Sequence, residues 1–323
     1  MHESSADLEP SASALRGAAP ARTAHRLLLA TRPKFFTASL LPVVIGTGWG
    51  AGIAGALDLV AFILAIAATV CVHAGANVIN DVYDDVGGSD AINDARIHPY
   101  TGGSRFIQNG IMDRREMARW GCTLLAAGVL FGALLTLHAG AGVIVLGLTG
   151  IALAVLYSLP PVQLSARGLG EAAVAIAFGI LPLCGAAWLQ GAAVDVAALL
   201  LSLPVSLWTA AILLINEVPD AAADASVGKR TLAVRLGDTG SARLYLALHA
   251  GAVLALLGLV AIGALLAWAV VLPLALLAPA TLAARSIAAP HAGLARRRGI
   301  ELTLAVHLLG SAWLGGFAWF ALI

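Results

Sequence analysis

Two short stretches carry the residues best suited to chemistry. The first reads Asn77-Val-Ile-Asn80-Asp81-Val-Tyr-Asp84-Asp85 and continues to Asp90 and Asp94. Continued as helix, positions 77, 80, 81, 84 and 85 share one face by three-and-four spacing and form a stripe of carboxamides and carboxylates. The second reads Asn216-Glu-Val-Pro-Asp220-Ala-Ala-Ala-Asp224, with Lys229 and Arg230 just beyond. Asp220 and Asp224 are four apart, on one face of a helical turn that Pro219 is suited to begin. Each stretch follows an apolar run, where a carboxylate is disfavoured by roughly 2.5–3.5 kcal/mol on insertion scales, so grouped acids require a cation. Mg²⁺ suits such ligands because it takes one or two carboxylates together with substrate phosphates. A basic pair beside paired carboxylates is the mixture that a metal-bound diphosphate demands. Taken singly, either stretch reads equally as a solvated, acid-rich loop; two of them at the mouths of apolar helices argue for one shared site.

The elements that must position these residues follow from composition. Of 323 residues, 60% are hydrophobic and 11% charged, which places the chain in a lipid bilayer. Apolar runs predict about nine spans, near 34–56, 57–79, 117–137, 140–159, 171–190, 196–216, 241–262, 264–285 and 301–322, hence an all-α membrane bundle around a central cavity. Arg and Lys fall before the first span and after the second, fourth, sixth and eighth, while the alternate connections near Asp58, His138, Asp195 and Gly263 hold none. The positive-inside rule therefore predicts a cytoplasmic N-terminus, an external C-terminus and both acidic stretches at the cytoplasmic side of the inner (cytoplasmic) membrane. Paired Gly residues, such as Gly46 with Gly50 and Gly128 with Gly132, predict close helix contacts.

Residues 1–25 are rich in Ser, Ala and Pro, lack the apolar core of a signal peptide, and read as a disordered cytoplasmic tail before a single membrane domain over 26–323. Cys71, Cys122 and Cys184 are too scattered for a disulfide framework or a CxxC metal site. A net charge of +1 offers no basic field for nucleic acid.

On these motifs the chain resembles the UbiA superfamily of intramembrane prenyltransferases. Asn80-Asp81-Val-Tyr-Asp84 matches its NDxxD-type motif, Asp220-Ala-Ala-Ala-Asp224 its DxxxD motif, and Gly228-Lys229-Arg230-Thr231-Leu232 extends the likeness. Asp84-Asp85-Val-Gly-Gly-Ser-Asp90, Gln108-Asn-Gly110 and Gly168-Leu-Gly170-Glu171 resemble the branch that prenylates 1,4-dihydroxy-2-naphthoate in menaquinone biosynthesis. The chain departs from that branch at Thr101-Gly-Gly-Ser-Arg105-Phe, and at Asn216-Glu-Val-Pro, where Asn-Asn-x-Arg is commoner. The resemblance implies Mg²⁺-dependent transfer of a polyprenyl group from its diphosphate to a small aromatic acceptor. It implies Mg²⁺ on Asp81, Asp84, Asp85, Asp220 and Asp224, and substrate on Asn77, Asn80, Arg105, Gln108, Asn216, Lys229 and Arg230. Lys229, Arg230 and Arg105 are expected to grip phosphate. Tyr157, at the end of the fourth span, reads either as a catalytic cavity residue shielding an allylic cation or as an interfacial belt aromatic. His73, one turn before Asn77, reads as a cavity residue or a packed one. Two other readings remain open: a sibling enzyme using 4-hydroxybenzoate, homogentisate, haem, chlorophyllide or a glycerophosphate, and an ion-coupled transporter.

Overall fold

The first acidic stretch is the end of a helix. Asp58 caps that helix by accepting a hydrogen bond from Ala61 N at 2.9 Å. Twenty-nine mostly apolar residues then run unbroken from Leu59 to Gly87, so Asn77–Asp85 occupy its last turns, and Gly88 stops it with a left-handed φ of 84°. The second stretch behaves alike: the helix Val196–Ser226 continues through Pro204 and Pro219 and carries Asp220 and Asp224 in its last two turns. Pro219 therefore lies inside a helix and does not begin a separate turn.

The computed structural model describes residues 9–17, 19–289 and 293–320, and these contain no β-strand. Among the described residues, eight helices are long and apolar enough to cross a bilayer: α1 (Pro33–Ala54), α2 (Leu59–Gly87), α3 (Arg114–Ala139), α5 (Gly170–Leu189), α6 (Val196–Ser226), α7 (Leu232–Ala261), α8 (Ala267–Ala288) and α9 (Gly293–Phe320). The apolar helix α4 (Gly142–Ser158), at 17 residues, is shorter. The expected nine spans thus correspond to eight full-length helices and one short one.

Small residues decide which helices touch. A Cβ added to Gly46 of α1 would collide with the Leu183 carbonyl oxygen of α5, so this backbone-to-backbone approach requires glycine. In α5 a π-helical turn over Ile176–Ile180 brings Gly179 against Ser206 of α6. Helix α2 packs along α3, and α6 along α7. Apolar side chains such as Leu137, Val145 and Leu254 point outward, as lipid-facing positions do.

The described part of the N-terminal segment, read from sequence as a disordered tail, contains helices at Ala12–Leu15 and Pro20–Ala30. Leu15 and Ala30 pack with Phe106, Met112 and Met117, and Glu9 accepts a hydrogen bond from Arg96 Nε at 2.6 Å. The apolar positions of this segment have a surface to bury against, namely the loop between α2 and α3. Residues 1–8 and 18 lie outside the described residues.

Candidate active site

Helix periodicity divides the first acidic stripe among three environments. Asn77, Asn80 and Asp84 face a cavity of about 820 Å³ at the centre of the bundle. Asp81 is 3% exposed and turns toward the α2–α3 connection, where Ser104 N donates to its Oδ2 at 3.0 Å and Arg32 Nη1 stands 3.9 Å from Oδ1. Asp85 points away toward α3: Arg114 donates to its Oδ2 from Nε at 2.8 Å and Nη2 at 2.6 Å, and Gln108 Nε2 to its Oδ1 at 3.2 Å. The expectation that Asp85 holds metal and Gln108 binds substrate does not match this placement, because each occupies the other outside the cavity.

The end of α6 meets α2 across the same opening. Asp220 accepts from Asn93 Nδ2 at 2.6 Å and from Gly102 N at 3.0 Å, which fastens the α2–α3 connection over the site. Lys229, in the turn after α6, donates to Asp84 Oδ1 at 2.7 Å and Ser89 Oγ at 2.9 Å, and lies 3.2 Å from Asp224 Oδ1. Burial alone would lower the pKa of Lys229, but Asp84 and Asp224 outweigh it and lift the pKa above the usual lysine range, so the ammonium is firmly held. Asn216, Asp220, Asp224 and Lys229 all line the cavity, as do Tyr157 and His73. His73 also packs edge-on against Phe178 and hydrogen-bonds Ser39 Oγ at 3.0 Å, so it serves as both wall and anchor.

Two of the expected phosphate-gripping residues lie elsewhere. Arg105 is buried, donates to the Asp90 carbonyl and has Nε 3.9 Å from Glu9, which draws its guanidinium under the connection and out of the cavity. Arg230 is exposed, with its backbone tied to Ala166 O at 2.8 Å, and does not line the cavity. In their place the cavity mouth gains Arg32, Ser89, Asp90, Asn93 and the amides of Gly102 and Gly103. The signal for Asp90 and Asn93 lay in the acidic run itself, but their inward turn depends on the short helix Ser89–Ile92 after Gly88.

The charges at the mouth call for a cation. Among the described residues, five carboxylates line the cavity (Asp84, Asp90, Glu217, Asp220 and Asp224) against two cations, Arg32 and Lys229. Burial first, then Asp84, Asp81 and Asp220, push the pKa of Asp90 up to about 8 despite Lys229. Buried Asp81 Oδ1 and Asp90 Oδ2 have no hydrogen-bond partner, and both face Gly103: an added Cβ there would lie 3.1 Å and 2.7 Å from them. Among the described residues no three His, Cys, Asp or Glu side chains gather tightly enough to hold a metal by protein ligands alone. That donor set suits Mg²⁺, which takes one or two carboxylates and completes its shell with water and substrate phosphate.

Below the mouth the wall turns apolar. Along α2 the lining runs from Asp84 back to Ala65, roughly 28 Å at the helical rise, and it ends near Leu135 and Val143 at the opposite end of the bundle. The cavity is therefore a polar basin opening into a long hydrocarbon channel.

A family model described as the UbiA prenyltransferase family matches residues 39–305. The chain is 33% identical over 214 residues to 1,4-dihydroxy-2-naphthoate octaprenyltransferase of Mycobacterium tuberculosis, covering 66% of this chain and 70% of that one. It is 26% identical over 234 residues to the protein of the same name from Bacillus subtilis, covering 72% and 73%. A solved UbiA homologue from Archaeoglobus fulgidus, bound to GPP and Mg²⁺, superposes with a TM-score of 0.67 at 20% identity over 92% of this chain and 99% of that one. The matched region carries both Asp motifs and all or most of each helix that lines the cavity, and the chain belongs to the UbiA prenyltransferase family.

Proposed function

We propose that this multi-pass membrane prenyltransferase moves a polyprenyl group from its diphosphate to 1,4-dihydroxy-2-naphthoate, with Mg²⁺ bound at a site on the cytoplasmic face of the cytoplasmic membrane. The observation that carries this reading is the union of a carboxylate-rich mouth holding Lys229 with a cavity that runs about 28 Å along α2 and turns apolar below that mouth. The naphthoate acceptor rests on the names of relatives at 26–33% identity. Mg²⁺ rests on the unpartnered acids at Gly103 and on the solved homologue bound to GPP and Mg²⁺.

Asp81, Asp84 and Asp90 on one side and Asp220 and Asp224 on the other would hold the cations. When bound, Mg²⁺ supplies positive charge that offsets the diphosphate as it leaves. Lys229 adds a fixed ammonium aimed into the same basin and would give phosphate oxygens a charged donor. The allylic carbon–oxygen bond breaks with its electron pair passing to diphosphate. Tyr157 and the apolar wall keep water from the allylic carbon until the acceptor ring attacks it. A transporter would need charged partners toward the far side, and among the described residues the lining beyond His73 carries no charged group.

The test is a reconstituted assay with labelled prenyl diphosphate, Mg²⁺ and each acceptor in turn: 1,4-dihydroxy-2-naphthoate, 4-hydroxybenzoate, homogentisate and a glycerophosphate. Labelled product with the naphthoate alone is the expected result. Product with another acceptor and none with the naphthoate would reassign the substrate.

A further inference from the structure

Below the mouth, the cavity wall carries a carboxylate that belongs to neither Asp motif. Glu217 is 8% exposed, lines the cavity and leaves Oε2 without a hydrogen-bond partner. Glu171, 5% exposed near the start of α5, sits within hydrogen-bond range of Glu217, so the two carboxyl groups share one proton and no other side chain donates to Glu171. Helices α5 and α6 meet here through Gly170, where an added Cβ would lie 3.6 Å from Glu217 Oε1. Asn216, also on the cavity wall, leaves its buried Oδ1 unpartnered. Buried acceptors without donors are costly, and the cost is relieved by whatever donor the cavity receives.

Position narrows the ligand. Asn216 and Glu217 precede Asp220 by about one helical turn, so these acceptors lie about 5–6 Å deeper than Asp220, the first carboxylate of the DxxxD motif. With a diphosphate held at the two Asp motifs, that depth would lie beside the allylic carbon that reacts. Tyr157 borders the same spot, with Glu217 and Glu171 among its charged neighbours. A group that fills this place must be flat enough to share it with a prenyl chain and must present hydroxyl donors.

We propose that Glu217 and Asn216 form the subsite for a ring hydroxyl of the aromatic acceptor, with Glu171 as the positioning residue behind Glu217. This inference rests on the proposed function and adds to it the side chain that activates the acceptor. Glu217 takes the hydroxyl proton while passing its own to Glu171 as the ring carbon forms its bond to the allylic carbon, and the diphosphate leaves with the broken bond's electron pair. For a ring carrying carboxylate at the attacked carbon, CO₂ then departs, its bond pair restores the aromatic ring, and the proton returns from Glu217 to oxygen. No proton is gained or lost overall, and Glu217 and Glu171 again share one proton.

The experiment uses the full-length protein in detergent with geranyl diphosphate, Mg²⁺, 1,4-dihydroxy-2-naphthoate and its two mono-O-methyl ethers. Glu217→Gln is expected to raise the acceptor KM and lower kcat, together about 10- to 100-fold in kcat/KM for the acceptor, with the donor KM unchanged. Wild type should discriminate against one methyl ether by a similar factor, and Glu217→Gln should lose that discrimination. Glu171→Gln should move the acceptor constant in the same direction by less. An unchanged acceptor KM with discrimination retained in Glu217→Gln would overturn the subsite. If that variant does not insert, the wild type decides alone: equal use of both ethers and the parent acceptor also overturns it. A wild type that makes no prenylated product from any hydroxylated aromatic fails at the proposed function itself, and the subsite falls with it.

Discussion

Asp84 and Asp85 are neighbours in sequence with opposite assignments in space, and this contrast yields the sharpest test at the residue scale. Asp84 holds Lys229 at the cavity, whereas Asp85 is spent on Arg114 and Gln108. Asp84→Asn is expected to lower prenyl transfer by about two orders of magnitude or more, and Asp85→Asn to leave it within a few-fold, measured as initial rates at saturating Mg²⁺. Equal losses in both would put Asp85 in the site. Lys229→Ala should raise the KM for prenyl diphosphate more than that for the acceptor. Asp90 gives a pH signature. Burial and its acidic neighbours raise its pKa to about 8 without metal, and a cation binds the ionised form, so binding must expel the proton. Apparent Mg²⁺ affinity should therefore climb between about pH 6 and pH 8 and level off above, by calorimetric titration. A flat profile would remove Asp90 from the cation site. Most of the site was legible in the sequence as two Asp motifs, because intramembrane acids are costly enough to mark themselves. Asp85, Gln108, Arg105 and Arg230 could not be sorted that way: their partners Arg114, Glu9 and Ala166 come from other elements, and spacing does not reveal which partner prevails. Glu217 did carry a signal that went unused, being the first charged residue in α6 after more than twenty uncharged ones.

At the scale of elements, the site depends on helices that approach closely enough to share one cavity. Gly46 meets the Leu183 carbonyl, a backbone atom that cannot rotate away, whereas Gly132 on α3 has no atom within 4 Å of an added Cβ. Gly46→Ala should cost roughly 1–3 kcal/mol of stability from overpacking, seen as a lower melting temperature in detergent, with Gly132→Ala near neutral. Similar melting temperatures for the two would mean that the α1–α5 contact is looser than described. Hydropathy located these elements well, since a bilayer-length apolar run can hardly be hidden. It placed their ends poorly. Helices α2 and α6 continue beyond the apolar run because Asn, Asp and Glu tolerate helix while facing a cavity, and the run of Ala at 221–223 favours helix past Pro219. The helix Pro20–Ala30 does not show itself for the opposite reason: it is far shorter than a membrane span, and the surface that buries its apolar residues is built largely by residues about ninety positions later.

For the whole molecule, the arrangement gathers charge at one end of a hydrophobic bundle and leaves a hydrocarbon channel behind it. Segregated Arg and Lys argue that this end faces the cytoplasm, so reporters fused within 56–58 and after Ile323 should both lie outside. A cytoplasmic reading at either would reverse or break that topology. In the proposed reaction the two Asp motifs form one Mg²⁺-dependent site for prenyl transfer to a naphthoate, with neither motif able to act alone. The most direct measurement uses purified wild type, Asp81→Asn and Asp220→Asn, matched for melting temperature without metal. Each is given labelled prenyl diphosphate and 1,4-dihydroxy-2-naphthoate with and without Mg²⁺, and the product is identified by mass. Wild type is expected to form prenylated, decarboxylated naphthoquinol only with Mg²⁺, and each folded variant to fall by orders of magnitude. Near-normal transfer by both variants, or metal-independent transfer by wild type, would mean that the two motifs do not form a shared Mg²⁺ site.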